Sequence, residues 1–587
     1  MTKKLKMVTA VAGSLTLAVT LGLAGLARSA APLPLWAPAN KGIAATANLE
    51  ASRAAAEILR AGGNAVDGAV AAALALGVVQ PDSSGLGGGG FALVWSAKDK
   101  KARVLDFRET APAAATKDMF VVEGKADPAK SRWGGLAVAV PGEPAGLAEL
   151  EKTYGKLGLL RVAQPAIRLA RNGYPVSHHQ FCSIDERRTG CAAPVQFVAP
   201  PPLVANDPLA ALLYSAGDHE LDERATVKRP ALARTLEALG RRGPSAFYGG
   251  AVGKSIAATV QARGGILTLA DLTGYKPIWR DAIVGRFRGL DVWATPAPAG
   301  GLTELETLQI LDARPPLGPL GRGSSAADHV IAEALKHAFA DRARSLGDPA
   351  FVTVLEAKLT SPEYAKKLAA RISDDKVLKP ADYGDKDVAG PGEAPHDHGT
   401  SHLCVADGEG NVVALTTTVN LLFGSRVVDA TSGVVLNDEM DDFSAQPGAP
   451  NAFGLIGAFA NAVAPGKRPL SSMTPTIVTK DGTPILCVGG AGGPTIVSAT
   501  VQTIVNMVDF GMNVSAAVAA PRIHAQWMPN AVVVEPDVPR DVLQGLQKRG
   551  HKVVPMPSLA AVHAIALTPE RLTATSDPRY GGAPAAP

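Results

Sequence analysis

"HDHGTSHLCVADGEGNVVALTTTVN", residues 396–420, joins a polar stretch to two strand-like runs. The runs read as an antiparallel hairpin whose turn centres on Glu409. That register puts Thr400 opposite Thr418, with their Cβ atoms about 5 Å apart. Alternation along the strands brings three further polar residues to the same face: His402, Thr416 and Asn420. A slip of one residue would turn the set to the other face, so the register decides whether these groups meet.

The bond between Gly399 and Thr400 is the candidate for a self-cleavage site. A threonine hydroxyl is a weak nucleophile and needs a base beside it. Cleavage would expose an α-amine on Thr400, whose free pKa of about 7.7 to 8.0 suits proton abstraction near neutrality better than a lysine at about 10.4. Glycine has no Cβ, which eases attack of the hydroxyl on the preceding carbonyl. From these residues alone, a loop that enters an ordinary strand is the alternative.

Two glycine-rich segments differ in the order of the predicted strand and helix on either side of them. "GGAGG", residues 489–493, follows a strand-like run and precedes a helical run, so its N–H groups can face a developing oxyanion. A tight turn is the other interpretation. A formal G-x-G-x-x-G at Gly85, Gly87 and Gly90 has a helix before it and a strand after it. Because a dinucleotide site needs the reverse order, those glycines predict close backbone packing instead.

The composition is that of a large globular protein. The chain has 587 residues, of which 47% are hydrophobic and 19% charged, so one large core or two domains are expected. The net charge of +4 is spread without basic runs, which argues against a nucleic-acid partner. A small-molecule ligand fits better.

The first residues predict export. Lysines precede an apolar run from Met7 to Leu26, and small residues follow at Ala27 and Ser29, as in a secretory signal peptide. A run of about 20 residues can also span a bilayer as an uncleaved anchor. Because several glycines dilute the run, we expect cleavage and a periplasmic or secreted protein without stable membrane association.

The four cysteines fit an oxidising compartment. Cys182 and Cys191 flank a short polar loop, and a disulfide between them is left open. Cys404 and Cys487 lie in apolar strand-like runs, which predicts small buried hydrophobic side chains.

The remaining pattern divides the chain at its middle. Two helices are predicted between Asn48 and Leu76, with Asn64 capping the second, and a hairpin follows Gly90. Residues 141–340 read as mostly helical, and residues 384–399 as an exposed linker. Beyond the linker the chain is rich in strands.

Six runs, in order from about Ala44 to Arg579, resemble the γ-glutamyltransferase family, also called γ-glutamyltranspeptidase or glutathione hydrolase. The runs are "GGNAVDGAVAAALALGVVQPDSSGLGGGGF", "LDFRETAP", "GTSHLCVADGEGN", "NDEMDDF", "KRPLSSMTPTIV" and "GGAGG". The resemblance implies an α+β fold, the four-layer αββα sandwich of an N-terminal nucleophile hydrolase, formed jointly by two subunits cut from one chain. With the signal peptide that the first residues predict at 1–29, it implies a large subunit at 30–399 and a small subunit at 400–587.

The resemblance also implies roles for individual residues. The catalytic set is Thr400 as nucleophile, Thr418 as supporting hydroxyl, and Gly492 and Gly493 at the oxyanion. The set for the α-carboxylate of a γ-glutamyl group is Arg108, Ser471 and Ser472. The set for its α-amino group is Asn420, Glu439 and Asp442. An arginine fork suits a carboxylate and paired carboxylates suit an ammonium. Without the family, the same runs read as a surface ion pair, a solvated acidic turn and a helix cap.

The implied reaction begins when the Thr400 hydroxyl, deprotonated by its own α-amine, attacks the γ-carbonyl of glutathione or another γ-glutamyl amide. An ester to Thr400 forms, and water or an amino acid or dipeptide acceptor resolves it. No metal or organic cofactor is expected, and the cluster at residues 396–398 reads as a solvated loop and not a zinc site. The expected partners are the small-molecule substrate and, within a heterodimer, the other subunit.

The chain departs from the family pattern at several positions. Ser401, Leu403 and Cys404 replace other residues after the nucleophile, and Phe453 stands where bacterial members commonly have a lid tyrosine, which puts closure of the lid in doubt. Two rival functions stay open. One is an acylase of the same fold acting on glutaryl amides, such as a cephalosporin acylase, and the other is an exported binding protein without chemistry.

Overall fold

The computed structural model describes residues 34–184, 207–213, 221–385 and 399–587. The strands are β1 Leu35–Pro38, β2 Ile43–Thr46, β3 Gly89–Ser96, β4 Lys101–Asp106, β5 Val121–Val122, β6 Lys125–Ala126, β7 Tyr174–Pro175, β8 Thr226–Val227, β9 Ile278–Asp281, β10 Ile283–Phe287, β11 Leu290–Ala294, β12 Thr400–Ala406, β13 Val412–Thr418, β14 Val427–Asp429, β15 Val434–Leu436, β16 Thr476–Lys480, β17 Thr483–Ala491, β18 Ile523–His524, β19 Val532–Val534, β20 Val553–Pro555, β21 Ala561–Leu567 and β22 Arg571–Ser576.

The α-helices are α1 Leu49–Arg60, α2 Ala65–Val79, α3 Pro128–Arg132, α4 Glu143–Tyr154, α5 Leu159–Val162, α6 Gln164–Asn172, α7 His178–Ile184, α8 Ala210–Leu213, α9 Pro230–Arg242, α10 Ser245–Tyr248, α11 Gly250–Ala262, α12 Leu269–Gly274, α13 Gly301–Asp312, α14 Ser325–Ser345, α15 Glu356–Leu359, α16 Pro362–Ala369, α17 Thr495–Val508, α18 Val514–Ala519 and α19 Arg540–Lys548. Short 3₁₀ turns lie at Gly135–Ala137, Gly318–Leu320, Pro380–Asp382, Glu439–Asp442 and Phe459–Asn461. None of these described helices is long and apolar enough to span a membrane.

Two antiparallel sheets carry the fold. One has seven strands in the order β1-β22-β21-β17-β16-β11-β10, and the other has six in the order β2-β12-β13-β3-β4-β9. The predicted hairpin is confirmed in its register, with Thr400 opposite Thr418 and His402 opposite Thr416. Both of its strands are buried along their whole length, which fixes the pairing because a slip would misplace every side chain.

The two sheets pack face to face, and helices cover their outer faces. The apolar layer between the sheets takes Leu93 and Trp95 from the six-stranded sheet and Ile477 and Ile565 from the seven-stranded one. Helices α1 and α2 share a core with β12 and β13 on one outer side. Helices α13 and α17 share another core with β16 and β17 on the opposite side. The protein is therefore a mixed α/β fold built on antiparallel sheets.

A disulfide between Cys404 and Cys487 joins the two sheets, with the two Cα atoms 6.1 Å apart. The sequence prediction of small buried side chains was right about burial, since both residues are fully buried, but it missed the bond. The cysteines are 83 residues apart in sequence, so the link removes freedom from the unfolded chain and stabilises the fold by about 4 kcal/mol. Cys191 lies outside the described residues, and so does the segment 386–398.

The predictions for the first half are confirmed in part. The Asn64 side chain caps α2 in a capping box with Asp67, as expected. Gly77 and Gly85 touch so closely that a Cβ on Gly77 would lie 2.7 Å from the Gly85 Cα, which confirms the packing role of these glycines. The mostly helical prediction for residues 141–340 missed β9, β10 and β11, which extend the two sheets at their edges. Strand β10 alternates between buried and exposed residues, but Val284 at an exposed position obscures that alternation in the sequence.

Candidate active site

A chain of hydroxyl groups lies where β12 begins and β13 ends. The Thr400 and Thr418 Oγ1 atoms are 2.9 Å apart, and both residues are buried. The Thr418 hydroxyl donates to the Gly399 carbonyl oxygen at 2.7 Å and accepts from the Asn420 N–H at 2.9 Å. Because Thr418 has one proton and gives it to Gly399, the Thr400 hydroxyl is the donor to Thr418.

This chain of hydrogen bonds acts on the peptide bond between Gly399 and Thr400. A donor on the Gly399 oxygen polarises the carbonyl and prepares its carbon for attack by a neighbouring hydroxyl. A Cβ at position 399 would lie 2.6 Å from the Leu421 oxygen and 2.8 Å from the Asn420 oxygen. Glycine is therefore required here by close backbone packing, a reason that the sequence alone did not reveal.

His402 shares the face of Thr400 but is bonded elsewhere. Its Nδ1 lies 2.8 Å from the Thr416 Oγ1 and its Nε2 lies 3.5 Å from the Cys404 sulfur. Burial, with a smaller effect of His563, lowers the pKa of His402 well below its usual value. The neutral imidazole supports the strand pair through these contacts, and neither of its nitrogens bonds the Thr400 hydroxyl.

The glycine-rich segment approaches the nucleophile from the facing sheet. Strand β17 runs opposite to β12: Cys487 is bonded to Cys404, and a Cβ on Gly489 would lie 2.3 Å from the His402 ring. One further step of two residues along each strand brings Thr400 to the level of Ala491, directly before the oxyanion candidates.

Gly492 and Gly493 end β17 and lead into helix α17. Their φ angles of 137° and 56° lie in the region that favours glycine. Neither N–H group donates to a backbone acceptor within the residues that the structure describes, whereas both carbonyls accept bonds from the start of the helix. Two unused N–H groups at a helix start can hold an oxyanion.

Arg108 is the centre of a buried charged cluster. Its guanidinium pairs with Glu439 through Nη1 and with Asp442 through Nη2. Its Nε donates to the Pro469 oxygen at 3.2 Å, and Glu109 lies 3.7 Å from Nη1. Arg108 and Glu109 are fully buried, so the interpretation of this pair as a surface ion pair is wrong.

Burial shifts the protonation of this cluster. It raises the pKa of Glu439 well above its usual value and also raises the pKa of Asp442, and Arg108 opposes both shifts. It raises the pKa of Glu109 to about 8, again against the effect of Arg108. The three carboxylates outweigh burial at Arg108 and raise its pKa. The guanidinium thus stays charged, and burial disfavours the negative charge of Glu109.

The remaining predicted residues border this cluster. The Asn420 side chain donates to the Asp438 oxygen at 3.1 Å, next to Glu439, and its φ of 77° turns the chain out of β13. Ser471 and Ser472 lie after Pro469 in an irregular segment that leads into strand β16, so the helix-cap alternative is wrong. The acidic run at 439–442 is a largely buried 3₁₀ turn and not a solvated one.

Phe453 packs directly on the oxyanion segment. A Cβ on Gly493 would lie 2.6 Å from the Phe453 ring, and the Gln526 side chain donates to the Phe453 oxygen at 3.2 Å. The ring is buried. A phenylalanine here covers the site by packing, without the hydroxyl of the common tyrosine.

A metal-binding arrangement occurs elsewhere in the described chain, at His329, Glu333 and His551. The His329 Nδ1 lies 2.7 Å from the His551 Nε2, a hydrogen-bond distance. The Lys336 ammonium lies 3.2 Å from Glu333 and 3.3 Å from the His551 Nδ1. Lys336 supplies the positive charge that an ion would bring, so the group is a satisfied buried network.

Sequence reasoning missed several polar residues around the site. Arg342 donates to the Ser472 hydroxyl from helix α14, and the Thr417 hydroxyl donates to Glu143. Burial raises the pKa of Glu143 to about 7. The only signal for these residues was a charged side chain on a helix face that is otherwise apolar, and such a face is recognised only once the packing is known.

Comparisons with known proteins agree with this geometry. A family model described as gamma-glutamyltranspeptidase matches residues 51–586. The glutathione hydrolase proenzyme of Escherichia coli (strain K12) is 40% identical over 546 residues, which cover 92% of this chain and 91% of that protein. The glutathione hydrolase proenzyme of Bacillus subtilis (strain 168) is 38% identical, with 87% of this chain and 85% of that protein covered.

Two solved structures extend the comparison. The cephalosporin acylase from Bacillus halodurans has a TM-score of 0.80 and 30% identity, covering 94% of this chain and 96% of that one. The γ-glutamyltranspeptidase of Helicobacter pylori has a TM-score of 0.51 and 34% identity, covering 57% of this chain and 92% of that one.

Proposed function

Because the chain belongs to the γ-glutamyltranspeptidase family, we propose that it cleaves γ-glutamyl amides such as glutathione with Thr400 as its nucleophile. The γ-glutamyl group passes to water or to an amino acid or dipeptide acceptor. The observation that carries the proposal is the chain of hydrogen bonds from Thr400 through Thr418 to the Gly399 oxygen. It prepares the one bond whose cleavage would give Thr400 a free amine.

The proposed maturation is a self-cleavage. The Thr400 hydroxyl attacks the Gly399 carbonyl carbon, the peptide nitrogen leaves as the Thr400 amine, and water hydrolyses the resulting ester. The products are a large subunit, 30–399, and a small subunit, 400–587, which stay together as a heterodimer and jointly form the αββα sandwich. Removal of a signal peptide at 1–29 places the enzyme in the periplasm or outside the cell.

Catalysis then uses the new terminus. The α-amine of Thr400 takes the proton from its own hydroxyl, which attacks the γ-carbonyl of the donor. The N–H groups of Gly492 and Gly493 hold the oxyanion. The Thr418 hydroxyl donates to the Thr400 oxygen while the Thr400 hydroxyl loses its proton. The amine product leaves with the proton held by the α-amine, and an ester to Thr400 remains. No step requires a metal or an organic cofactor.

The proposed site recognises both charged groups at the α-carbon of the donor, the ammonium and the carboxylate. The buried carboxylates of Glu439 and Asp442, with Asn420, suit the α-ammonium, and Arg108, Ser471 and Ser472 suit the α-carboxylate. The present pairing of Arg108 with both acids supports an exchange: the ammonium of the donor replaces the guanidinium, which turns to the carboxylate. Such an exchange keeps every buried charge paired.

The similarity to a cephalosporin acylase makes donor choice the decisive test. γ-Glutamyl-p-nitroanilide and glutaryl-p-nitroanilide differ only in the α-ammonium. We expect a kcat/KM at least about 100-fold higher for the γ-glutamyl compound, because two charged hydrogen bonds contribute about 1.5 to 3 kcal/mol each. A preference for the glutaryl compound would identify an acylase, and no turnover of either would favour a binding protein.

A further inference from the structure

Arg342 is a buried cation beside the donor site that takes no part in the proposed reaction. It lies in the last turn of helix α14 and is 5% exposed. Its Nη2 donates to the Ser472 Oγ at 3.2 Å. Its Nε has no hydrogen-bond partner among the described residues. The side chain borders a small cavity that Asp442, Asn451 and Asn461 also line.

The bond from Arg342 fixes the direction of the Ser472 hydroxyl. Because the Ser472 oxygen accepts from a guanidinium, its proton points away and is free for another acceptor. The Ser471 oxygen likewise accepts from the Met473 N–H at 3.2 Å. Both serines are therefore presented as donors, and two adjacent hydroxyl donors fit an anion.

The charges near Ser471 and Ser472 also favour an anion at this position. Arg108 is paired with Glu439 and Asp442 until the donor's ammonium replaces it, so a second cation assists the carboxylate as the exchange begins. Burial lowers the pKa of Arg342 to about 10, so the guanidinium stays charged at neutral pH. No carboxylate of the described residues pairs with Arg342 directly, and the charge of Asp442 partly offsets the effect of burial on its pKa.

We propose that Arg342 is a positioning residue for the α-carboxylate of the donor, acting through Ser472. The inference rests on the proposed function and deepens it. A purely structural arginine would affect all substrates alike. A residue that serves the carboxylate affects only those substrates that have one.

The test compares Arg342→Met and Arg342→Lys with the parent on two substrates. γ-Glutamyl-p-nitroanilide has the α-carboxylate, and 4-aminobutyryl-p-nitroanilide lacks it but keeps the ammonium. We expect Arg342→Met to raise the KM for the γ-glutamyl substrate about 10- to 100-fold, as expected for losing a charged hydrogen bond, with kcat changed by less than about 3-fold. The kcat/KM for the 4-aminobutyryl substrate should stay within about 3-fold of the parent value.

Arg342→Lys keeps a positive charge and a hydrogen-bond donor, so its KM for the γ-glutamyl substrate should rise less than that of Arg342→Met. It also replaces the Met variant in the test if that variant fails to mature. The matched control is Arg322→Met. Arg322 precedes the same helix, about 25 to 30 Å away by helix rise, and donates to the Pro521 oxygen. The KM of Arg322→Met for γ-glutamyl-p-nitroanilide should equal that of the parent.

An unchanged KM in Arg342→Met, or an equal loss on both substrates, would overturn the inference. A matured Lys variant whose KM rises for the γ-glutamyl substrate but not for the 4-aminobutyryl substrate supports it, and one that matches the parent on both substrates or loses activity equally on both contradicts it. Failure of the proposed function looks different, since the parent itself would then not turn over the γ-glutamyl substrate.

Discussion

Thr400→Ala is expected to remain a single uncut chain and to lose turnover by at least about 10⁴-fold, the scale seen when a catalytic nucleophile is removed. The substitution removes the hydroxyl that attacks the Gly399 carbonyl and, in the mature enzyme, the γ-carbonyl of the donor. A denaturing gel and the release of p-nitroaniline from γ-glutamyl-p-nitroanilide measure the two losses.

The neighbouring hydroxyl provides the control. Ser401 is buried on the opposite face of β12, where it contacts Gln80 at 3.2 Å and Ser84 at 3.4 Å. Ser401→Ala should mature into two bands and keep its activity. Cleavage and parental turnover in Thr400→Ala would show that another residue is the nucleophile.

Arg108→Lys is expected to raise the KM for γ-glutamyl-p-nitroanilide about 10- to 150-fold, since each charged hydrogen bond contributes about 1.5 to 3 kcal/mol. A lysine carries one point of charge and cannot reach Glu439, Asp442 and the Pro469 oxygen together, as the guanidinium does. Steady-state kinetics on the matured variant measure the change.

Arg280→Lys is the matched control for that experiment. Arg280 pairs with Asp106 at 2.8 Å, and Asp106 also accepts from the Arg108 backbone N–H at 3.0 Å, so this control separates the support behind Arg108 from its guanidinium. It should show the parent KM, with at most a small loss of stability. A parent-like KM in Arg108→Lys would remove Arg108 from carboxylate recognition.

The hairpin that carries the nucleophile was predictable because local rules fix it. A turn centred on Glu409 and the pattern of the two flanking runs predict one register, and the structure has that register. The strand-to-helix order around Gly492 was equally local. The family resemblance extended these local signals to residues far apart in sequence.

What the sequence did not reveal depends on packing between distant segments. The bond between Cys404 and Cys487 requires two sheets to face each other at one level, which neither apolar run indicates alone. The pairing of Arg108 with the acids and the approach of Arg342 to Ser472 bring together residues more than a hundred positions apart. Strands β9 to β11 were hidden because their short runs lie among helices.

The most direct test of the account is the N-terminal sequence and intact mass of the purified, active enzyme. We expect two chains, the smaller of which begins with Thr400 and carries a free amine. Full activity in material whose Gly399–Thr400 bond is intact would contradict it.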